Sequence, residues 1–158
     1  MHRIMFVCHG NICRSTMAEF VMKDLVAKVG RADEFVIASS ATSTEEIGMP
    51  VYPGTKKVLR AHGISSDGKR AVQLRADDYD KYDLFVGMDS ANIRNIRRML
   101  GGDPASKVHK LLEFPEGVPT DAASDVADPW YTRDFDTTYD DVLRGCQALL
   151  KALSPAGE

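Results

Sequence analysis

Apolar residues gather in four short runs, near 3–7, 35–38, 82–88 and 107–112. Each is strand-length and too short for a buried helix, so four buried strands are predicted. Helical spacing fills the stretches between them. Over about 15–29, Met17, Phe20, Val21, Leu25 and Val29 define one apolar face that Gly30 terminates. A second helix, about 53–62, starts with Pro53 in its first turn and stops at Gly63. A third, about 89–100, opens on Asp89-Ser90 as capping residues and closes at Gly101-Gly102. The last, about 136–153, carries Val142, Leu143, Cys146, Leu149 and Leu150 on one side. Strands alternating with helices predict an α/β domain with a mainly parallel sheet and right-handed crossovers. Ligands bind such sheets beyond the carboxyl ends of the strands. Cys8 falls at that end of the first strand and Ser39-Ser40 at that end of the second.

Composition narrows this picture. The chain has 158 residues, 44% hydrophobic and 27% charged, which suits one soluble domain over 1–158. Its net charge of −3 supplies no basic field for nucleic acid. No apolar segment is long enough for a membrane span, and no signal peptide is recognisable. Three cysteines do not make a secreted disulfide framework, so a cytoplasmic enzyme is expected.

The chemistry concentrates where the first strand meets the first helix, in Cys8-His9-Gly10-Asn11-Ile12-Cys13-Arg14-Ser15-Thr16. Five residues separate Cys8 from Arg14. A loop of that length can wrap its N–H groups around phosphate oxygens, and the planar Arg14 fork can clamp two of them. The helix beginning near Ser15 adds its positive end, and the same field favours a thiolate at Cys8. Ser15 can donate its hydroxyl to the sulfur. Gly10 and Asn11 suit a loop that needs left-handed backbone. The competing structural reading, a buried strand-end cysteine followed by a surface arginine, does not account for the combination of strand, loop, Arg-Ser and helix. Expelling an oxygen from phosphorus also needs a proton donor. Asp128 is the candidate, since Pro129 restricts it to extended backbone and holds its carboxyl on a stiff loop arm. Trp130 and Tyr131 follow as an aromatic wall. Asp103-Pro104 is read as an ordinary turn, and Asp121, Asp125 and Asp134 as solvated loop residues.

Val7-Cys8-His9-Gly10-Asn11-Ile12-Cys13-Arg14-Ser15, Met88-Asp89 and Asp128-Pro129-Trp130-Tyr131 together resemble the low-molecular-weight protein tyrosine phosphatases over nearly the whole chain. The resemblance implies a three-layer α/β/α fold with a central four-stranded parallel sheet and the phosphate-binding loop between strand 1 and helix 1. It also implies metal-free, cofactor-free hydrolysis of phosphotyrosine through a cysteinyl-phosphate. Cys8 would then be the nucleophile, Arg14 the phosphate clamp and Asp128 the general acid and base. His9, Gly10, Asn11, Ile12, Cys13 and Ser15 would line or build the phosphate loop. Ser39 matches a family serine that bonds Asn11, and Asp89 a family aspartate bordering the site; a strand-end turn and a helix cap explain those two equally well. Tyr131 faces substrate, is a modification target, or, as the favoured reading, packs against the acid loop.

Cys13 shares a tight loop with Cys8, so a disulfide is geometrically feasible, and family members with this second cysteine are believed to use it to trap oxidised Cys8. Simple packing is the other reading, and Cys146 is read as core. Glu45 stands where the family usually has an aromatic residue, so it can alter preference. His9 is expected near the mouth, while His2, His62 and His109 have no convergent partners in sequence. Arg94, Arg97 and Arg98 are expected to form a solvated face. Three relatives in fold or site compete. Arsenate reductases need further mid-chain cysteines, and none lies between Cys13 and Cys146. Protein-arginine phosphatases carry a small polar residue where Ile12 stands. A non-catalytic phosphate-binding module would not need Cys8, Arg14 and Asp128 together. The expected partners are phosphotyrosine-containing proteins, with no nucleic acid or membrane, and the expected state is a monomer or weak homodimer.

Overall fold

The computed structural model describes residues 1–154. Four parallel strands, β1 (His2–Cys8), β2 (Phe35–Ala41), β3 (Leu84–Gly87) and β4 (Val108–Lys110), form a sheet in the order β2-β1-β3-β4. The helices are α1 (Arg14–Lys28), α2 (Pro53–Ala61), α3 (Ser90–Met99), α4 (Glu113–Glu116), α5 (Pro129–Thr132) and α6 (Phe135–Ala152). The four predicted strands and four long helices are all present with ends within a few residues. The two short helices α4 and α5 lack any periodic signal and were not predicted.

Strand alternation builds the layers. Ile4, Phe6 and Cys8 of β1 point to one face, where they meet Met17, Val21 and Met22 of α1 and Val142, Cys146 and Leu149 of α6. Met5 and Val7 point to the other, against Ile93 and Ile96 of α3 with Phe85 and Val108. Burying a side chain such as Phe6 or Leu149 contributes about 1.5–3 kcal/mol. Gly145 lets α6 pack closely on the segment that follows β4, because a Cβ there would collide with the Leu111 side chain. The result is the three-layer α/β/α arrangement. From β1 the chain passes first to β2 on one side and then to β3 on the other, so the strand order reverses beside β1. That switch point puts the end of β1, and with it Cys8, at the crevice.

Some expectations need correction. Val29 is not on the buried face: α1 ends at Lys28, and Val29, its C-terminal cap, is 56% exposed. The buried side instead includes Met22, Val26 and the polar residues Arg14, Ser15, Thr16 and Glu19, because the first turn faces the loop rather than the core. Ser39 and Ser40 lie inside β2, which continues to Ala41. Asp125 is more than a solvated loop residue. Lys110, only 1% exposed, donates to Asp125 Oδ1 (2.9 Å), Ser90 Oγ (2.9 Å) and the Ala123 carbonyl (2.8 Å). This buried ammonium ties β4 to the start of α3 and to the loop that leads to Asp128. Asp134 caps α6 by accepting from Thr137 N (3.0 Å). His109 and His62 also have partners: His109 lies between Glu113 (3.1 Å) and the Ser106 carbonyl (3.1 Å), and His62 stacks on Tyr139.

Candidate active site

The 8–15 loop curls around its own cysteine. Asn11 adopts φ 58°, a left-handed conformation that asparagine tolerates, while Gly10 does not have positive φ. A Cβ at Gly10 would make only ordinary contact with the Glu46 side chain, 3.4 Å from its Cγ. The turn aims Asn11 N at Cys8 Sγ (3.3 Å) and brings Ser15 Oγ to 3.0 Å from the same sulfur. Ser15 Oγ already accepts from Asn11 Nδ2 (2.8 Å), which leaves its proton free to point at Sγ.

Asn11 is 1% exposed and every polar atom of its side chain is used. Nδ2 also donates to Ser39 Oγ (2.9 Å), and Oδ1 accepts from Val72 N (3.1 Å). Behind it runs a relay absent from the sequence reading. Ser39 Oγ donates to Glu19 Oε1 (2.5 Å), and Glu19 Oε2 accepts from Lys23 (2.5 Å). Lys69 Nζ donates to the Ser39 carbonyl (2.9 Å) and lies 3.7 Å from Glu19. Burial lowers the Lys69 pKa and Glu19 acts in the opposite direction. Glu19 follows Ser15 by one helical turn, a spacing that could have flagged it. Lys69 comes from a loop with no local signal.

Arg14 is the first residue of α1 and is 3% exposed. Its Nη1 donates to the Val126 carbonyl (2.9 Å), and Nη2 lies 2.9 Å from Asp89 and 3.4 Å from Asp128. Burial opposes its charge, but Cys8, Asp89 and Asp128 more than offset that and raise its pKa. Asp89 combines its two readings. Oδ1 caps α3 by accepting from Asn92 N (2.7 Å), and Oδ2 faces Arg14. Asp128 is extended, as the residue before a proline must be, and caps α5 by accepting from Trp130 N (3.0 Å). It therefore sits on a helix start rather than a plain loop arm.

A cavity of about 520 Å³ unites Cys8, His9, Gly10, Ile12, Cys13, Arg14, Glu45, Asp89, Asp128, Trp130 and Tyr131. Asn11, Ser15 and Ser39 lie buried beneath it. At the mouth His9 Nε2 is 3.0 Å from Glu45 Oε2. The favoured packing role for Tyr131 fails: in four-residue α5 only Pro129 turns inward, and Tyr131 is 82% exposed. Trp130 is held edge-on by Tyr52 (5.6 Å) and covered by Arg133 (5.4 Å), whose Nη1 also donates to Tyr52 Oη (2.8 Å). Tyr52 N in turn donates to the Ile12 carbonyl (2.9 Å), which joins the acid segment to the phosphate loop. Burial, then the charge of Cys8, pushes the Cys13 thiol up to about 12. Among the described residues no group of three or more His, Cys, Asp or Glu side chains converges as metal ligands would.

A buried cysteine held by the Asn11 N–H and the Ser15 hydroxyl, with an arginine and a carboxylic acid on the same cavity, defines a cysteine-dependent phosphatase site on a doubly wound sheet. The family model for low molecular weight phosphotyrosine protein phosphatase matches residues 3–157, and the chain belongs to that family. It is 39% identical to the low molecular weight protein-tyrosine-phosphatase YfkJ of Bacillus subtilis, over 97% of this chain and 96% of that protein. PtpA of Staphylococcus aureus is 37% identical, over 93% of this chain and 90% of its own length. The crystal structure of YfkJ superposes with a TM-score of 0.89, covering 97% and 94% of the two chains. That of SP-PTP from Streptococcus pyogenes superposes at 0.86 with 40% identity, covering 99% and 95%. The protein is accordingly a low molecular weight protein tyrosine phosphatase.

Proposed function

We propose that the chain, as one catalytic unit over 1–158, hydrolyses phosphotyrosine in two displacements at Cys8. In the first, the Cys8 thiolate attacks phosphorus, the S–P bond forms and the aryl O–P bond breaks. Asp128 gives its proton to the departing phenolate. In the second, Asp128 takes a proton from water as the new O–P bond forms, and the S–P pair returns to sulfur. Throughout, the loop N–H groups and Arg14 carry the charge on the remaining phosphate oxygens. Asn11 N and Ser15 Oγ stabilise the sulfur as leaving group. The observation that carries this reading is Cys8, Arg14 and Asp128 on the wall of one cavity.

Asp89 holds Arg14 through Nη2, and the Asn11–Ser39–Glu19 relay fixes the loop. A net charge of −3 and the carboxylates around the mouth favour a phosphotyrosine-bearing protein over nucleic acid as partner. Three free cysteines suit the cytoplasm, and the reading keeps a monomer or weak homodimer and no membrane partner. Cys13 serves as the thiol that traps oxidised Cys8. The test is the leaving-group dependence of turnover on substituted phenyl phosphates. Asp128→Ala should steepen it, because poor leaving groups then lack a proton. An unchanged slope removes Asp128 from the reaction.

A further inference from the structure

A second groove of about 590 Å³ opens beside the catalytic cavity and shares Ile12, Glu46 and Trp130 with it. Its floor is apolar and open to solvent. Met49 is 50% exposed and Trp130 46%, and Pro53 is also exposed. Its far rim is basic, formed by Lys56, Lys57 and Arg60 on α2. Asp67 is the carboxylate near this rim, 3.8 Å from Lys56 and 3.5 Å from Arg60, with both Asp67 and Arg60 largely exposed. Lys57 makes no ion pair among the described residues. Exposed pairs of this kind are weak, so the rim keeps most of its positive charge. Glu46 on the shared wall and Glu45 in the first cavity put negative charge beside the catalytic site, so charge changes sign from there to α2.

The groove is also preformed. Met49 N donates to the Glu46 carbonyl, Gly48 N to Ala71 and Ala71 N back to Met49, while Tyr52 ties the segment to Ile12. A rigid wall with exposed apolar area costs little ordering on binding. An aryl phosphate fills only the first cavity, whereas a protein substrate must leave it along some path. The shared wall makes this groove such a path.

We propose that this groove is the subsite for the polypeptide flanking the phosphotyrosine, taking an apolar residue against Met49, Pro53 and Trp130 and an acidic residue beyond it at Lys57 and Arg60. The assignment rests on the phosphatase reading of the first cavity. It makes the enzyme selective by position: an acidic residue close to the phosphotyrosine meets Glu45 and Glu46, while one farther along one side meets α2.

The experiment compares phosphotyrosine peptides in which a single Glu, or Gln in its place, is walked from the second to the sixth residue on either side. At low salt the wild type should favour Glu over Gln by about tenfold in kcat/KM at one outer position, the effect of two exposed ion pairs. High salt should erase the preference. K57E/R60E should reverse it while p-nitrophenyl phosphate turnover stays unchanged. If that variant also slows p-nitrophenyl phosphate, the Glu-to-Gln ratio still reads the groove, because a general loss cancels. A flat wild-type profile, or a ratio that K57E/R60E does not move, overturns the subsite. Absence of wild-type activity on p-nitrophenyl phosphate overturns the phosphatase reading beneath it. A dimer that K57E/R60E dissolves, with no peptide preference, assigns the face to a second copy and also overturns the proposal.

Discussion

Ser39→Ala removes one hydroxyl from a site that is 1% exposed, and its consequences can be worked through bond by bond. Asn11 Nδ2 loses one of its two acceptors, and Glu19 Oε1 loses its donor at 2.5 Å. A buried donor left unpaired costs about 1–3 kcal/mol, and a bond to a charged group contributes about 1.5–3 kcal/mol. Lys69 bonds the Ser39 backbone carbonyl, so that contact survives, and Lys23 still neutralises Glu19. With those two contacts kept, the expected destabilisation is about 3 kcal/mol, towards the lower end of the combined range. In a chain of this size that lowers Tm by about 6–12 °C. Asn11 keeps Ser15 and Val72, so the loop stays folded and kcat on p-nitrophenyl phosphate should fall by less than about tenfold, roughly the 1.4 kcal/mol that reaches the barrier. Asn11→Ala, which empties all three contacts, should cost far more activity. Thermal unfolding and steady-state kinetics on the same samples provide the assay. A Tm within about 2 °C of wild type, an effect below 1 kcal/mol, would refute the claim that this relay supports the loop.

Other consequences are equally open to measurement. Arg14→Lys cannot reproduce the planar fork that reaches Val126, Asp89 and the phosphate together, and should lower kcat/KM at least about 100-fold, with a matching loss of inorganic phosphate affinity; full activity would mean the clamp lies elsewhere. Because burial keeps the Cys13 thiol far above neutrality, with about 12 as its value beside Cys8, its attack on oxidised Cys8 should accelerate about tenfold per pH unit between pH 7 and 9. Oxidation removes the charge on Cys8 but leaves the burial, so Cys13 stays raised; alkylation and mass spectrometry after peroxide follow the closure, and a pH-independent rate would contradict this. The Glu113 hydrogen bond raises the His109 pKa above its ordinary value near 6.5. Its contribution is therefore complete below that value and lost as pH rises through the higher folded value. His109→Gln should cost about 1 kcal/mol at pH 6 and less at pH 9, read from denaturant midpoints; an equal cost at both would separate the pair from stability.

What could be read from sequence shares one property: the partners are close along the chain. Cys8, Asn11, Arg14 and Ser15 sit within one loop and one turn, so their spacing alone suggests a thiol in an oxyanion cradle. Strand and helix periods likewise report local geometry, and the layer order follows from them. Asp128 was visible because proline and two aromatics mark it. The residues that escaped notice meet across the fold. Lys69 reaches Ser39, Tyr52 bridges Ile12 to Trp130, and Lys110 holds Asp125, none with a pattern in its own segment. Tyr131 and Val29 fail for the opposite reason. Each extends an apolar stretch of sequence, but α5 is too short and α1 ends too early to turn either inward.

The central claim is that phosphate passes through Cys8 and that Asp128 handles the proton in both steps. The most direct measurement is rapid mixing of Asp128→Ala with p-nitrophenyl phosphate, followed by mass spectrometry of the quenched protein. This leaving group needs little protonation, whereas water still needs a base. The account predicts a burst of nitrophenolate equal to the enzyme concentration, phosphate on the peptide that carries Cys8, and no burst in Cys8→Ser. Phosphate on another residue, or steady turnover by Cys8→Ser, would contradict it.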